Sequence, residues 1–218
     1  MQLIDIHSHH LKSTFDEIKI YIHDYQKNTY NTDLKTCYGI HPWSIQALDI
    51  NATLAQLKTD LLKKNTFALG EIGLDRSIAT PLSEQIKVFK AQLEIANELN
   101  ISRLVIHNVR ASFDIIPILK EANIKAKILL HDFNENRQVF DAFNNKFDTY
   151  FSCGHQLFKN TTIKKELGNL PLAKLLLETD DQDQYNIKEI YLRCSEILGI
   201  NEKKLVEKLF ENYQSFIH

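Results

Sequence analysis

The sequence contains little of what disulfide-rich, membrane-spanning or linker-rich proteins depend on. Its 218 residues include six glycines, four prolines and three cysteines. So few glycines and prolines exclude long flexible linkers. Cys37, Cys153 and Cys194 are far apart and form no Cys-x-x-Cys pattern, so we expect reduced thiols and a cytoplasmic protein. No run of about 18 apolar residues is present to cross a membrane, and we find no secretory signal pattern.

The sequence also lacks an excess of charge of either sign. It has 26 Lys and Arg against 28 Asp and Glu, a net charge of −2. This gives no general electrostatic argument for nucleic-acid binding, although a local basic patch is compatible with it. The length and the 44% of hydrophobic residues fit one soluble domain over residues 1–218. No exposed apolar face stands out, so we expect a monomer.

Short apolar runs alternate with amphipathic helical runs along the chain. The eight candidate strands lie at residues 2–6, 18–24, 35–40, 66–71, 102–107, 126–131, 148–152 and 174–178. The alternation predicts an α/β fold with a parallel sheet, and eight strands predict a TIM-type (β/α)8 barrel. The barrel is slightly reduced, because residues 25–34 leave no room for a proper helix. An open doubly wound sheet is the alternative, but His7-Ser8-His9 replaces its glycine-rich phosphate loop.

Two polar residues predict where helices begin. Thr80 can cap a helix whose first residue is Pro81. Asn201 can cap the last helix of the chain in the same way.

Side chains that can bind metal recur at the ends of the predicted strands. The first strand leads into His7 and His9, and four later strands end at Glu71, His107, His131 and Asp180. A lone histidine after an apolar strand is more often a structural residue. Five strand ends that each carry a potential ligand fit poorly with chance, and in a barrel these ends form the active site.

The predicted donor set consists of four imidazoles and two carboxylates. It suits divalent transition metals better than calcium, and Mg, Mn and Zn remain open as the bound ion. Two ions about 3.5–4 Å apart need a bridging carboxylate, and Glu71 is the natural bridge because it carries two oxygens on a middle strand. Asp180 can also accept a proton from the attacking water. We therefore expect two divalent ions, with Glu71 and Asp180 as catalytic residues.

Six segments carry a resemblance that runs from one end of the chain to the other. They are Asp5-Ile6-His7-Ser8-His9, Gly39-Ile40-His41-Pro42-Trp43, Gly70-Glu71-Ile72-Gly73-Leu74-Asp75, Ile106-His107, His131-Asp132-Phe133 and Glu178-Thr179-Asp180. In this order they resemble the TatD family of metal-dependent hydrolases. The resemblance implies an amidohydrolase-like TIM barrel, the same six ligands, and hydrolysis of phosphate esters, typically DNA and often as an exonuclease. It also implies that His41 lies at the edge of the site.

Four further residues are candidates for substrate binding beside His41. Arg76 and Arg110 can bind a phosphate, with a surface ion pair as the alternative for each. Trp43 and Phe133 flank metal-site motifs and can stack on a base, with core packing as the alternative.

Three functions are compatible with these residues. The first is a phosphodiesterase acting on nucleic acid, with DNA as the expected partner. The second is a small-molecule phosphatase or amidohydrolase on the same metals, and a glutamate in the bridging role favours the first over an amidohydrolase. The third is a metal-binding interaction module without catalysis, against which the complete set of six ligands argues.

Overall fold

Eight strands form a single sheet in a computed structural model that describes residues 2–12, 16–27 and 33–218. The strands are β1 (Leu3–Ser8), β2 (Glu17–Ile22), β3 (Lys35–Tyr38), β4 (Thr66–Asp75), β5 (Arg103–Val109), β6 (Lys127–Leu130), β7 (Thr149–Cys153) and β8 (Leu175–Leu177). All eight predicted strands are confirmed. Only β4 extends more than two residues beyond its predicted end.

The strands lie in the sheet in the order in which they follow along the chain. The described registers of β1 with β2, β3 with β4, β4 with β5 and β7 with β8 are all parallel. The first and last strands also meet, because Ser8 forms a parallel bridge with Asp180. The His9 N–H donates to the Asp180 carbonyl at 3.0 Å, and the Asp180 N–H donates to the His7 carbonyl at 2.9 Å. Sequential order with joined first and last strands is the topology of a (β/α)8 barrel, which confirms the predicted fold class.

Helices connect most of the strands. They are α1 (Ile50–Leu61), α2 (Leu82–Glu98), α3 (Ser112–Glu121), α4 (Arg137–Asn144), α5 (Gln156–Lys159), α6 (Thr161–Glu166), α7 (Ile187–Leu198) and α8 (Glu202–Ile217), with 3-10 turns at Pro42–Ala47, Leu167–Asn169 and Leu172–Lys174. Within the described residues, no helix combines the length and the apolar character that a membrane crossing requires.

The two predicted helix starts have different outcomes. The Asn201 side chain accepts the N–H of Lys203, which confirms the predicted cap of α8. The predicted cap at Thr80 is wrong, because Pro81 occupies the N-cap position of α2. The Thr80 carbonyl instead accepts a hydrogen bond from the Gln85 side chain at 2.8 Å. In the segment 25–34, where we predicted no helix, residues 25–27 form a turn and residues 28–32 lie outside the described residues.

The chain divides into two compact units, each with its own buried core. The first unit comprises Met1–Tyr21, Leu130–Asn145 and Thr149–His218, and the second comprises Ile22–Leu129 and Lys146–Asp148. Fully buried side chains of the first unit include Ile4, Phe140, Phe151 and Phe216. Those of the second include Leu57, Leu69, Leu104 and Leu119. The prediction of one domain over residues 1–218 stays a prediction.

Irregular pairing marks two strands that carry predicted ligands. Gly70 and Glu71 in β4 together lie opposite Val105 of β5, and the register of β1 with β2 shifts between Asp5 and Ser8. Such a bulge bends a strand and redirects its side chains. A Cβ at Gly70 would lie 2.5 Å from the Cβ of Val105, so only glycine permits this close approach.

Candidate metal centre

The six predicted ligands are divided between the two units. His7, His9, His131 and Asp180 belong to the first unit, and Glu71 and His107 belong to the second. His131 and Asp180 follow the ends of β6 and β8, whereas His107 lies two residues before the end of β5. The larger correction concerns Glu71. It lies in the interior of β4 rather than at its end, because the buried strand continues to Asp75.

In the first unit, two imidazoles converge on one carboxylate oxygen. His7 Nε2 and His9 Nε2 lie 3.4 Å and 3.5 Å from Asp180 Oδ1. Both distances exceed the 2.7–2.9 Å of a charge-assisted hydrogen bond. They match the separation of about 3.4 Å between two ligand atoms that each lie about 2.1 Å from a tetrahedral zinc ion. The His7 side chain is fully buried, whereas the side chains of His9 and Asp180 are 25% and 16% exposed, so solvent reaches this group.

His131 joins this group through its ring. The ring stacks on that of His7, with centroids 4.2 Å apart and planes inclined by 5°. Its Nδ1 faces Glu178 Oε1 at 3.6 Å. The buried Glu178 carboxylate accepts the Asp132 N–H at 2.7 Å and the Ser152 hydroxyl at 2.5 Å. A carboxylate beside one ring nitrogen orients an imidazole and leaves the other nitrogen for a cation.

The buried Asp5 holds the backbone just before Asp180. Its carboxylate accepts the Thr179 N–H at 2.9 Å and the Thr179 hydroxyl at 2.8 Å. Burial raises the pKa of Asp5 to about 7, while the Thr179 hydrogen bonds and the charge of Lys19 act to lower it. Asp180 has a left-handed backbone with φ of 56°, so this support fixes an unusual conformation at a predicted ligand.

In the second unit, two imidazoles contact Glu71 Oε1. His41 Nε2 lies 3.0 Å away and His107 Nδ1 lies 2.7 Å away. His41 Nδ1 accepts the N–H of Trp43 at 3.2 Å, so a neutral His41 ring carries its proton on Nε2 and donates it to Glu71. His41 is therefore placed to position Glu71.

Asp75 holds the other side of the His107 ring. Its carboxylate accepts hydrogen bonds from His107 Nε2 at 3.2 Å, Trp43 Nε1 at 2.7 Å and the Ser77 N–H at 2.7 Å. Burial acts to raise the pKa of Asp75, but the hydrogen bonds from His107, Ser77 and Trp43 outweigh burial and hold the pKa well below its usual range. Nδ1 of the same ring hydrogen-bonds Glu71, so a cation bound there would take the place of the Nδ1 proton while the carboxylate of Asp75 keeps the other proton on Nε2.

Two buried glutamines of α2 hold the segments that carry these side chains. The Gln92 amide bonds both the N–H and the carbonyl of Ile40, at 2.6 Å and 3.1 Å, directly before His41. The Gln85 amide bonds the N–H and the carbonyl of Asp75 at 2.8 Å and 2.9 Å. Our sequence analysis missed these supporting roles. The spacing of glutamines along a helix does not reveal which of their side-chain amides are buried.

Each unit brings together nitrogen and oxygen donors that could hold a cation. Ligand atoms of His7, His131 and Glu178 lie within 4.8 Å of one another, and so do those of His41, Glu71 and His107. Our sequence analysis assigned no role to Glu178 or Asp75. The signal for both was their place in the Glu178-Thr179-Asp180 and Gly70–Asp75 motifs.

The two aromatic candidates for substrate contact lie in different environments. Phe133 is 3% exposed and packs against Phe140 and Phe151, with ring centroids 6.4 Å and 5.5 Å away. Burial removes Phe133 from the predicted substrate-contacting residues, because neither face of its ring is offered to a base. Trp43 is 59% exposed and stays a candidate.

The two arginine candidates also differ. Arg76 forms a two-pronged ion pair with Asp114, and both of its hydrogen bonds measure 2.8 Å. This pairing occupies the guanidinium edge that would grip a phosphate. Arg110 is exposed on the segment after β5, with φ of 54°.

Comparison with known sequences gives one consistent family. A family model described as TatD related DNase matches residues 4–218. An uncharacterized metal-dependent hydrolase of Buchnera aphidicola is 33% identical over 164 residues, which cover 69% of this chain and 60% of the relative. The 3'-5' ssDNA/RNA exonuclease TatD of Salmonella typhimurium is 30% identical over 155 residues, which cover 65% of this chain and 55% of the relative. The chain thus matches less than two thirds of the length of these relatives.

Comparison with solved structures supports the same fold. The crystal structure of a TatD homologue from Escherichia coli superposes with a TM-score of 0.84 at 20% sequence identity. The superposition covers 99% of this chain and 97% of the other.

Proposed function

The chain belongs to the family of TatD-related DNases, and on that basis we propose that it is a metal-dependent phosphodiesterase that removes nucleotides from a DNA end. The observation that carries the proposal is the presence of two clusters of imidazole and carboxylate donors. In one, the Asp180 carboxylate lies close to His7 and His9, and in the other the Glu71 carboxylate contacts His107. The exonuclease name of the Salmonella relative supports the choice of substrate.

We propose that each group holds one divalent cation. The fit rests on the donor chemistry, since imidazole nitrogens and carboxylate oxygens are ligands of zinc and manganese, and carboxylates also serve magnesium. The spacing of the His7, His9 and Asp180 donor atoms supports it for the first unit. The predicted role of Glu71 as a bridge between two ions stays a prediction.

Bound cations would supply an acidified water nucleophile and positive charge for the phosphate oxygens. The residues of the chain would orient the donors and move the proton. His41 would keep the Glu71 carboxylate in place through its Nε2–H, and Asp75 would hold the proton of His107 on Nε2 when a cation takes the place of the proton on Nδ1. Asp180, whose side chain is 16% exposed, would accept the proton of the attacking water.

The test is hydrolysis of a short end-labelled single-stranded DNA by chelator-stripped protein, with magnesium, manganese and zinc restored separately. We expect stepwise shortening that requires added metal. Glu71→Gln should lower the rate by roughly 100-fold or more, because it removes a ligand charge, while leaving the fold intact. The matched control is Glu94→Gln on the exposed face of α2, which should retain full activity.

Full activity of Glu71→Gln with a native circular dichroism spectrum would contradict the assignment. An alternative outcome is metal-dependent hydrolysis of a simple phosphate ester without DNA cleavage. That result would support the assignment as a metal-dependent hydrolase and would indicate a small-molecule substrate instead of DNA. Stoichiometric metal binding without hydrolysis of any ester would favour the interaction module.

A further inference from the structure

Trp43 is an exposed aromatic residue whose orientation is nevertheless fixed. It is the only tryptophan of the chain, and it is 59% exposed. Large aromatic side chains gain free energy by burial, so an exposed indole is unusual. Its Nε1–H donates to Asp75 at 2.7 Å, its backbone N–H bonds His41, and the two rings meet edge to face with centroids 5.1 Å apart. The indole is thus a preformed platform open to solvent.

A cavity of about 520 Å³ lies against this platform. Its volume is in the range of about 300–1,000 Å³ that is typical of small-molecule sites. The Gln46 amide donates a hydrogen bond to the Glu84 carboxylate at 2.8 Å, which gives the cavity one polar edge. The remaining surface is formed mainly by the segment between β4 and α2: Ile78, Ala79, Thr80 and Pro81. The combination is an aromatic and apolar slot with a hydrogen-bonding end.

The charge of the lining selects against a phosphate. Among the described residues that line the cavity, none is lysine or arginine, whereas Glu84 is acidic. Like charges repel, so an anionic group is disfavoured there and a flat neutral ring is favoured. Every nucleobase can stack on an aromatic side chain. A carboxylate accepts a hydrogen bond from an exocyclic amino group, as it does from cytosine N4.

The platform adjoins the donor group of the second unit. Asp75 accepts hydrogen bonds from both Trp43 and His107, whose rings are 6.0 Å apart. We infer that the cavity beside Trp43 binds the nucleobase of a substrate nucleotide. The base stacks on the indole, and its exocyclic amino group donates to Glu84. The inference rests on the proposed phosphodiesterase function. It predicts that the site prefers cytosine, adenine and guanine, which carry an exocyclic amino group, over thymine, which has none.

Because Trp43 is the only tryptophan, its fluorescence reports on this cavity alone. The metal-loaded protein is titrated with single-stranded oligonucleotides of dC or dT, joined by phosphorothioate linkages that resist hydrolysis. Excitation at the red edge of the indole band avoids tyrosine. We expect saturable quenching by both, with tighter binding of oligo-dC. Glu84→Gln should reduce the dC preference, and Glu94→Gln on the same helix should keep it.

Kinetic variants separate stacking from the support that Trp43 gives to Asp75. Trp43→Ala should raise KM for labelled DNA by roughly 5- to 150-fold, the range of base stacking, and it should lower kcat no more than Trp43→Phe does, because both variants lose the N–H that supports Asp75. Trp43→Phe keeps a stacking ring without the N–H, so it should retain most of the affinity. Phe113→Ala is the matched control, because Phe113 is 74% exposed on α3, outside the cavity lining.

Absence of saturable quenching, or a KM that Trp43→Ala leaves unchanged, would overturn the inference even if the protein degrades DNA. Equal binding of oligo-dC and oligo-dT would overturn the role of Glu84. If the protein cleaves no DNA under any metal, the proposed function fails on that measurement. The quenching titration still decides the cavity separately, since it requires no turnover.

Discussion

Replacing Asp75 by asparagine perturbs the orientation of a predicted ligand without removing any ligand. The carboxylate accepts hydrogen bonds on both oxygens: Trp43 Nε1 and His107 Nε2 contact Oδ2, and the Ser77 N–H contacts Oδ1. An asparagine has one oxygen and one NH2 group. In either orientation of the amide, its NH2 group faces N–H donors: those of Trp43 and His107 in one orientation, and that of Ser77 in the other.

The magnitude follows from the hydrogen bonds that are lost. A hydrogen bond to a charged group contributes about 1.5–3 kcal/mol, and a buried donor left unsatisfied costs about as much. With some relaxation, we expect Asp75→Asn to lower the free energy of unfolding by about 2–4 kcal/mol. Loss of the carboxylate on Nε2 also frees the His107 ring to carry its proton on Nδ1. Metal affinity should then fall by about 10- to 100-fold.

Two measurements separate these effects: urea unfolding of the metal-free protein, and metal titration against a competing chelator. Asp114→Asn is the matched control, because it makes the same chemical change in the surface ion pair with Arg76. A solvent-exposed ion pair contributes little to stability, so the control should remain near wild type in both assays. Unchanged metal affinity in Asp75→Asn would refute the assignment of Asp75 as the residue that orients His107.

Three further predictions concern the reactivity of the thiols, the two arginines and the effect of added metal on stability. Burial raises the pKa of all three cysteine thiols well above the usual value: Cys37, Cys153 and Cys194. None should react with a chromogenic thiol reagent until the protein is unfolded in urea, and rapid reaction of the folded protein would contradict this. Arg76→Ala should leave KM for DNA nearly unchanged because Asp114 occupies its guanidinium, whereas Arg110→Ala should raise KM in steady-state assays. Metal at 100 times its Kd should raise the melting temperature by roughly 5–10 °C in calorimetry, and Glu71→Gln should reduce this gain.

The strands could be predicted because apolar runs of strand length, separated by helical stripes, carry most of the signal of a parallel α/β fold. The end of β4 was misplaced for a physical reason. Glu71 interrupts the apolar run, yet the bulge at Gly70 and Glu71 lets the strand continue to Asp75. A bulge depends on the partner strand, which no local pattern reveals. The cap predicted at Thr80 fails for a local reason, because α2 begins at Leu82 with Pro81 at the N-cap position, one residue later than predicted.

The candidate ligands could be proposed from residue type and position, whereas the groups that orient them could not. His107 follows an apolar run that marks a strand, but its partner Asp75 is 32 residues away in sequence. Glu178 and Ser152 are 26 residues apart. Such pairs form only when different strands meet in the sheet. Phe133 shows the opposite error: its place beside a ligand motif predicted a substrate contact, but its ring packs into the core.

Two buried carboxylates, Asp75 and Glu178, lie beside predicted histidine ligands although neither is a predicted ligand itself. A lone buried carboxylate is strongly unfavourable, so each must accept hydrogen bonds from its surroundings. Asp75 and Glu178 meet this need with an N–H or hydroxyl on one side and face an imidazole on the other. The ring they face loses rotational freedom before any cation arrives. The conformational cost of ordering His107 and His131 is thereby met during folding, which leaves more of the binding free energy for metal affinity.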